Sequence, residues 1–360
     1  MNWNKLKFED IFADVSGGSR KVPQAEYLSE GSHAVVDQGK KLIAGYSNDV
    51  LNVSNAQPPV IVFGDHTRVL KYVDFSFCMG ADGIKVLKPK IDADTKYLYY
   101  ALQNLHIPNN GYDRHFKYLK RFQIPLPPLA EQKRIAAILD KADATRAKRR
   151  QTLAHLDALL QSVFLEIFGD PVTNPKGWSY ESLGKLGKVS TGNTPPSSQT
   201  GMFDGAIPFV TPGDLESNET VKRTVTEAGA SMSRTVRQGA ALVCCIDTIG
   251  KMDIAKEQSA FNQQINAVEW FDTVNDLYGL EVLRFFKPTI KAWGASTTVP
   301  ILKKSSFEKL QIPVPPIPIQ RDFAQKMLVI KSLRAKSEKS LSETTKLFDA
   351  LQRRAFSGEL

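Results

Sequence analysis

Gln123–Gln132 reads QIPLPPLAEQ, and Gln311–Gln320 reads QIPVPPIPIQ. The run Ile-Pro-x-Pro-Pro is too improbable to arise twice by composition alone, so the chain carries an internal repeat. At an offset of 188 residues, from Gln123 to Gln311, the match runs forward without a gap. Gln132 falls on Gln320, Leu139 on Met327, Arg146 on Arg334, Leu153 on Leu341 and Phe168 on Phe356. Backwards it needs gaps: WNKLKFEDIFADVSGG from Trp3 resembles WSYESLGKLGKVSTGN from Trp178. The chain is therefore two copies of one unit, each a variable globular part, a Pro-rich hinge and a long segment of mixed polarity. Two copies of this length do not make a solenoid, and a pseudo-twofold molecule is the simpler expectation.

The long segments decide the architecture. Stepping alternately by four and three from Ile135 meets Leu139, Ala142, Arg146, Arg149, Leu153, Leu156, Leu160, Val163 and Ile167. The same register in the second copy meets Phe323, Met327, Ile330, Arg334, Ser337, Leu341, Thr344, Phe348, Leu351 and Ala355. An apolar period of 3.5 sustained over more than four heptads predicts a coiled coil. Pro127–Pro128 and Pro315–Pro316 suit the approach to a helix, where no N–H is needed. Gly169 followed by Asp170–Pro171 stops the first helix. Each helix would be ~60 Å long at ~1.5 Å per residue. The natural partner of one helix is the other, and globular parts at opposite ends require an antiparallel pair. Arg146 and Arg334 interrupt the seam at matching places. Two readings stand for them: snorkelling to water from a loosely packed middle, or fixing register at a cost in stability.

The predicted parts are residues 1–125, a first globular domain; 126–169, a helix; 170–312, a second globular domain; and 313–360, a second helix. In the first domain HAVVDQGK, PPVIVFGDHTRVLKYVDF and GIKVLKP read as strands and DADTKYLYYALQNL as a helix. The second repeats the plan with AIPFVTPGDL, GAALVCCIDTIG and INAVEWF, then a helix from about Asp276 to Trp293. Short apolar runs between turn signals, closed by a helix, make each domain α+β.

Bulk properties suit a soluble cytoplasmic protein. No apolar run is long enough to span a membrane, and no secretory signal is evident. Cys78, Cys244 and Cys245 make neither a disulfide framework nor a zinc spacing, and are expected to be reduced core thiols. The net charge of +9 suits a polyanionic partner. It is unevenly spread: Asp170 to Ile312 holds 15 basic and 15 acidic residues, so any contact with a polyanion there must come from local arrangement.

Several stretches resemble the specificity (S) subunits of type I restriction-modification systems: IPLPPLAEQKRIAAILDKADA, LLQSVFLEIFGD, GDHTR, CIDTIGKMDIA and NQQINAV. The resemblance spans essentially the whole chain, including the order domain, helix, domain, helix. The second hinge departs from it, with Pro318 and Ile319 where Ala130 and Glu131 stand in the first. The resemblance implies two α/β target recognition domains separated by two long helices in an antiparallel coiled coil. Each domain would read one half of a bipartite target in double-stranded DNA. The helices would set the spacing and dock two methyltransferase (M) subunits, which restriction (R) subunits join. It implies no catalysis by this chain. S-adenosylmethionine, ATP and magnesium would belong to the partner subunits, whose complex is a site-specific deoxyribonuclease and adenine-N6 DNA methyltransferase. A related methylate-and-cut system without translocation, or a coiled-coil scaffold that binds only protein, are the alternatives.

Direct readout needs side chains such as Arg, Asn and Gln at base edges, with Ser, Thr, Lys and backbone N–H groups on phosphates. In the first domain the candidates are the turn Gly64, His66, Thr67 and Arg68, and the basic-aromatic run with Arg114, His115, Lys117, Lys120 and Arg121. In the second they are Thr191, Asn193 and Thr194, then Thr248 and Lys251, then Thr297, Thr298, Lys303 and Lys304. The bland readings are ordinary: GNTPP as a turn, Lys117 to Arg121 as a solvated surface, and Asn262–Gln264 as a satisfied buried turn rather than an adenine reader.

Catalytic motifs are missing from the sequence. There is no Asn/Asp-Pro-Pro-Tyr/Phe element, no Gly-rich methyl-donor loop and no P-loop spacing. Asp94-x-Lys96 mimics part of a nuclease motif, but Asp94 is better explained as a helix N-cap. His33, His66, His106, His115 and His155 are scattered and suggest no metal cluster.

Overall fold

The computed structural model describes residues 3–80, 83–108, 111, 113–217, 219–294 and 300–360. Packing gathers the chain into two units, Met1–Gln151 with Glu338–Leu360, and Thr152–Ser337. Each unit is one globular domain plus half of each long helix. The helices run Leu129–Phe168 and Ile317–Ser357.

The first unit holds two four-stranded sheets. One is antiparallel, in the order Phe12–Asp14, Ile84–Pro89, Val60–Gly64, Leu70–Val73. Val60–Gly64 is buried along its whole length, which is why VIVFG reads as a continuous apolar run rather than an alternating one. The other orders Lys21–Val22, Phe77–Gly80, His33–Val36 and Gly45–Ser47, with parallel pairs around Phe77–Gly80. The helix Thr95–Gln103 follows, and the Asp94 carboxylate accepts from the Tyr97 N–H at 2.7 Å, the N-cap expected of it.

The second unit repeats the plan. Its antiparallel sheet orders Gly187–Thr191, Ile265–Trp270, Ala241–Cys244 and Met252–Ile254. Its other sheet orders Thr224–Val225, Phe203–Val210, Ser259–Phe261 and Thr235–Val236. The expected helix from Asp276 to Trp293 is instead two, Asp276–Phe285 and Lys287–Gly294. Pro288 is the cause: it has no N–H to donate and crowds the carbonyl four residues back. Asn275 caps the first of them, accepting from Leu277 and Tyr278.

The hinge repeat has a structural reason. Gln123–Pro125 pairs antiparallel with Lys5–Lys7, and Gln311–Pro313 pairs antiparallel with Tyr180–Ser182. The chain thus returns to the start of each domain before the helix leaves it. The Trp3 and Trp178 stretches match for the same reason: each continues into a one-turn helix, Phe8–Ile11 or Leu183–Leu186, and then a sheet strand.

Within each unit the two helix halves run antiparallel. In the first, Arg134 donates to the Leu360 carbonyl while Arg146 lies over the Phe348 ring at 3.6 Å. In the second, Arg334 meets Asp157 at 2.7 Å. Of the stripe positions, Arg149 is exposed and the others are buried or half-buried. Ile135, Leu139, Phe323, Met327, Ile330 and Phe348 are buried. Leu153, Leu156, Leu160, Val163, Leu341 and Leu351 are half-buried. The two arginines differ in geometry. Arg146 stacks on an aromatic ring of the opposite helix and pairs with Asp143, while Arg334 makes a cross-helix ion pair.

The heptad pattern missed Phe164 and Phe168, which lie beside the seam and turn into the second domain. With Phe323 and Tyr278 they form an aromatic cluster with ring centroids 4.7–5.9 Å apart. Helix and domain thus share one core in each unit.

Candidate nucleic-acid interface

In the first unit the turn after Val60–Gly64 is built by its own backbone needs. A side chain at Gly64 would collide with Thr67 and Gln38. The Thr67 hydroxyl donates to the Gln38 carbonyl at 2.6 Å, and the Arg68 N–H donates to the Gly64 carbonyl at 2.7 Å. Arg68 sits at φ 61° and extends its guanidinium to the Ile107 carbonyl at 3.2 Å. Asp65 ties this turn to the second predicted run. Its carbonyl accepts from the His115 N–H at 2.8 Å, and its carboxylate accepts from the Phe116 N–H at 2.8 Å. Two clusters about fifty residues apart in sequence are therefore one surface.

His115 belongs to that junction rather than to the surface. Its side chain is fully buried, with Nδ1 2.9 Å from the Asp65 carbonyl. Thr67 is exposed, but its hydroxyl hydrogen is committed to Gln38. His66 is half-buried, and its N–H faces the Gln38 side chain at 3.4 Å.

The exposed cations fall into two groups. Lys117 pairs with Asp113 at 2.9 Å and Lys120 with Glu9 at 3.6 Å. The Lys117 ammonium and the Tyr118 hydroxyl hold the Asp113 carboxyl down at about 2. That pair is intact at neutral pH and is lost only as pH falls from the ordinary carboxylate range through about 2. Arg114 is exposed and ion-paired with no acid among the described residues. Arg121 lies over the Tyr118 ring at 5.2 Å.

The second unit reproduces the junction with different side chains. Cys245 stands where Asp65 does: its N–H donates to Gln264, as that of Asp65 donates to Gly83, and its carbonyl accepts from Leu302, as that of Asp65 accepts from His115. Thr248 is exposed and within 3.4 Å of the Cys244 thiol. Asn193 donates to the Met232 carbonyl at 2.8 Å, the Thr191 hydroxyl bonds Asn266 at 2.7 Å, and the Thr194 hydroxyl bonds the Gln263 carboxamide at 2.8 Å. Of the Asn-Gln-Gln turn, Asn262 and Gln264 bond each other at 3.0 Å and satisfy the turn, while Gln263 is exposed. Lys303 is exposed, and Lys304 pairs with Glu308 at 3.2 Å. Thr297 and Thr298 lie outside the described residues.

The sequence reading missed five lysines beside these surfaces. Lys40 and Lys41 are exposed on the loop after His33–Val36, and Lys71 clamps that loop by donating to the Asp37 carbonyl at 2.7 Å. Lys287 and Lys291 line a depression with Thr248 and Lys251, packing their stems against Gly250. Their i, i+4 spacing on one helix was the available signal. Lys287 is held by Glu216 at 2.8 Å.

Cys245 is expected to be chemically silent. Burial pushes its thiol up to about 12. Iodoacetamide at pH 8 should leave it unmodified in the folded protein, read by peptide mass; rapid labelling would contradict the packing at this junction.

Among the described residues, no group of three or more His, Cys, Asp or Glu is placed to hold a metal ion, and no helix is long and apolar enough to cross a membrane.

The arrangement is two similar surfaces of turns, hydroxyls, amides and cations, one per domain. The sequence matches the family described as type I restriction modification DNA specificity domain over residues 2–157 and 175–343. The EcoR124I/EcoR124II type I restriction enzyme specificity subunit of Escherichia coli is 26% identical over 342 residues, covering 84% of this chain and 80% of its own. The MjaIX specificity subunit of Methanocaldococcus jannaschii is 24% identical over 325 residues, covering 77% and 72%. The crystal structure of the type I restriction-modification S subunit from M. genitalium shares the fold, with a TM-score of 0.66 at 16% identity over 99% of this chain and 96% of the other. With the family match falling on both halves of the repeat, the chain belongs to the family of type I restriction-modification DNA specificity subunits.

Proposed function

We propose that each unit reads one half of a bipartite target in double-stranded DNA through its turn-and-cation surface. The long helices hold the two readers at a set gap and seat two methyltransferase subunits, and restriction subunits join that core. Adenine methylation and ATP-dependent cleavage, with S-adenosylmethionine, ATP and magnesium, belong to those partners. The observation that carries this reading is the convergence, in each unit, of two basic segments distant in sequence onto one backbone junction, Asp65 with His115 and Cys245 with Leu302. A surface assembled twice from different side chains on one scaffold suits two readers of different half-sequences.

The experiment is DNA binding by the chain with its methyltransferase subunits across a salt series. Binding should weaken steeply with salt, because each neutralised phosphate releases counterions. Arg114→Ala and Lys251→Ala should each lower the salt slope by about one. Lys117→Ala and Lys304→Ala should change it less, since Asp113 and Glu308 already offset those charges. Salt-independent binding, or equal effects from all four, would contradict the reading.

A further inference from the structure

The residue that ends both hinge repeats is a glutamine, and it is buried in both: Gln132 is 2% exposed and Gln320 is 0% exposed. A long helix gains nothing from burying a carboxamide in its first turn unless every polar atom is used. Here they are. Gln132 donates from Nε2 to the Pro127 carbonyl at 2.8 Å and accepts at Oε1 from the Asp94 N–H at 2.9 Å. Gln320 donates to the Pro315 carbonyl at 2.7 Å and the Thr273 carbonyl at 3.1 Å, and accepts from the Asn275 N–H at 2.8 Å. Asp94 and Asn275 are the N-caps of the helix that closes each domain. One carboxamide thus joins the proline turn, the departing helix and the N-cap of the domain helix. A second clasp lies one turn along that domain helix. The Tyr97 hydroxyl donates to the Pro125 carbonyl and the Tyr278 hydroxyl to the Pro313 carbonyl, each at 2.7 Å.

Apolar packing would hold helix to domain without fixing an angle, because it is non-directional. Hydrogen bonds weaken steeply when bent, and a buried polar group left unpaired is destabilising. The joint therefore favours one direction for the helix. We propose that Gln132 and Gln320 are positioning residues that fix the angle at which each reader stands on its helix, and so the half-site gap the protein accepts. This rests on the reading of the helices as a spacer.

The test uses the full chain assembled with its methyltransferase subunits. Duplexes carry both half-sites at the natural gap, one base pair shorter and one longer. Gln132→Met and Gln320→Met keep volume and remove the carboxamide. Gap preference, the ratio of Kd values between duplexes, should fall tenfold or more in each variant. Discrimination against a mismatch within either half-site should stay as in the parent. Unchanged gap preference in a variant that melts cooperatively near the parent would overturn the positioning role. A parent with no gap preference would overturn the spacer reading, and this proposal with it. Should the methionine variants fail to fold, Tyr97→Phe and Tyr278→Phe delete only the second clasp. They should shift gap preference in the same direction by less, and no shift would count against the proposal.

Discussion

Phe323→Ala is expected to destabilise the second unit by about 3–5 kcal/mol, the cost of emptying a packed aromatic site. Phe323 is fully buried, edge-on to Phe164 at 5.5 Å and Phe168 at 5.2 Å, so it joins the second helix to the first and both to the domain. In a domain of this size the loss should lower Tm by roughly 6–20 °C. Leu347→Ala, on the same helix but 56% exposed, should stay within about 0.5 kcal/mol of the parent. Calorimetry of the two variants decides the point. Equal shifts would mean that the helix does not share the domain core.

Lengthening the helices should change the target's gap and nothing else. Because Arg146 lies level with Phe348, the insertion must be matched, four residues after Arg149 and four after Glu343. A four-residue insertion is a stutter that coiled coils absorb by local unwinding. It adds ~6 Å of helix, close to two base pairs at ~3.4 Å each. Methylome sequencing should then show both half-sequences kept and the gap about two base pairs longer. Insertion into one helix alone misaligns the seam and should cost assembly. An altered half-sequence with an unchanged gap would sink the spacer reading.

What was legible in the sequence was periodic or repeated. The 188-residue offset exposed two equivalent units, and the heptad stripe named the protected face of both helices. Short runs such as VIVFG marked the strands because central strands are buried along their length. The joints were not legible, because they depend on partners distant in sequence. Nothing in QIPLPPLAEQ says that its last glutamine meets Asp94, 38 residues earlier. His115 looked like part of a basic-aromatic surface, and only the fold shows it clasping Asp65 from the inside. Phe164 and Phe168 fall beside the 3.5-residue stripe because they pack on the domain, at Tyr278 and Phe285, as well as on Phe323 of the other helix. The break at Pro288 could have been read from the proline itself.

The most direct test of the central claim, two independent readers on one spacer, is to replace residues 1–122 with the matching segment of a relative of different specificity. The target is then read by methylome sequencing of cells carrying the chimaera and its methyltransferase subunits. The expected result is a split motif with modified adenine in both halves, in which one half-sequence is new while the other half and the gap are unchanged. If both halves change together, or neither does, the two domains are not independent readers of the two halves.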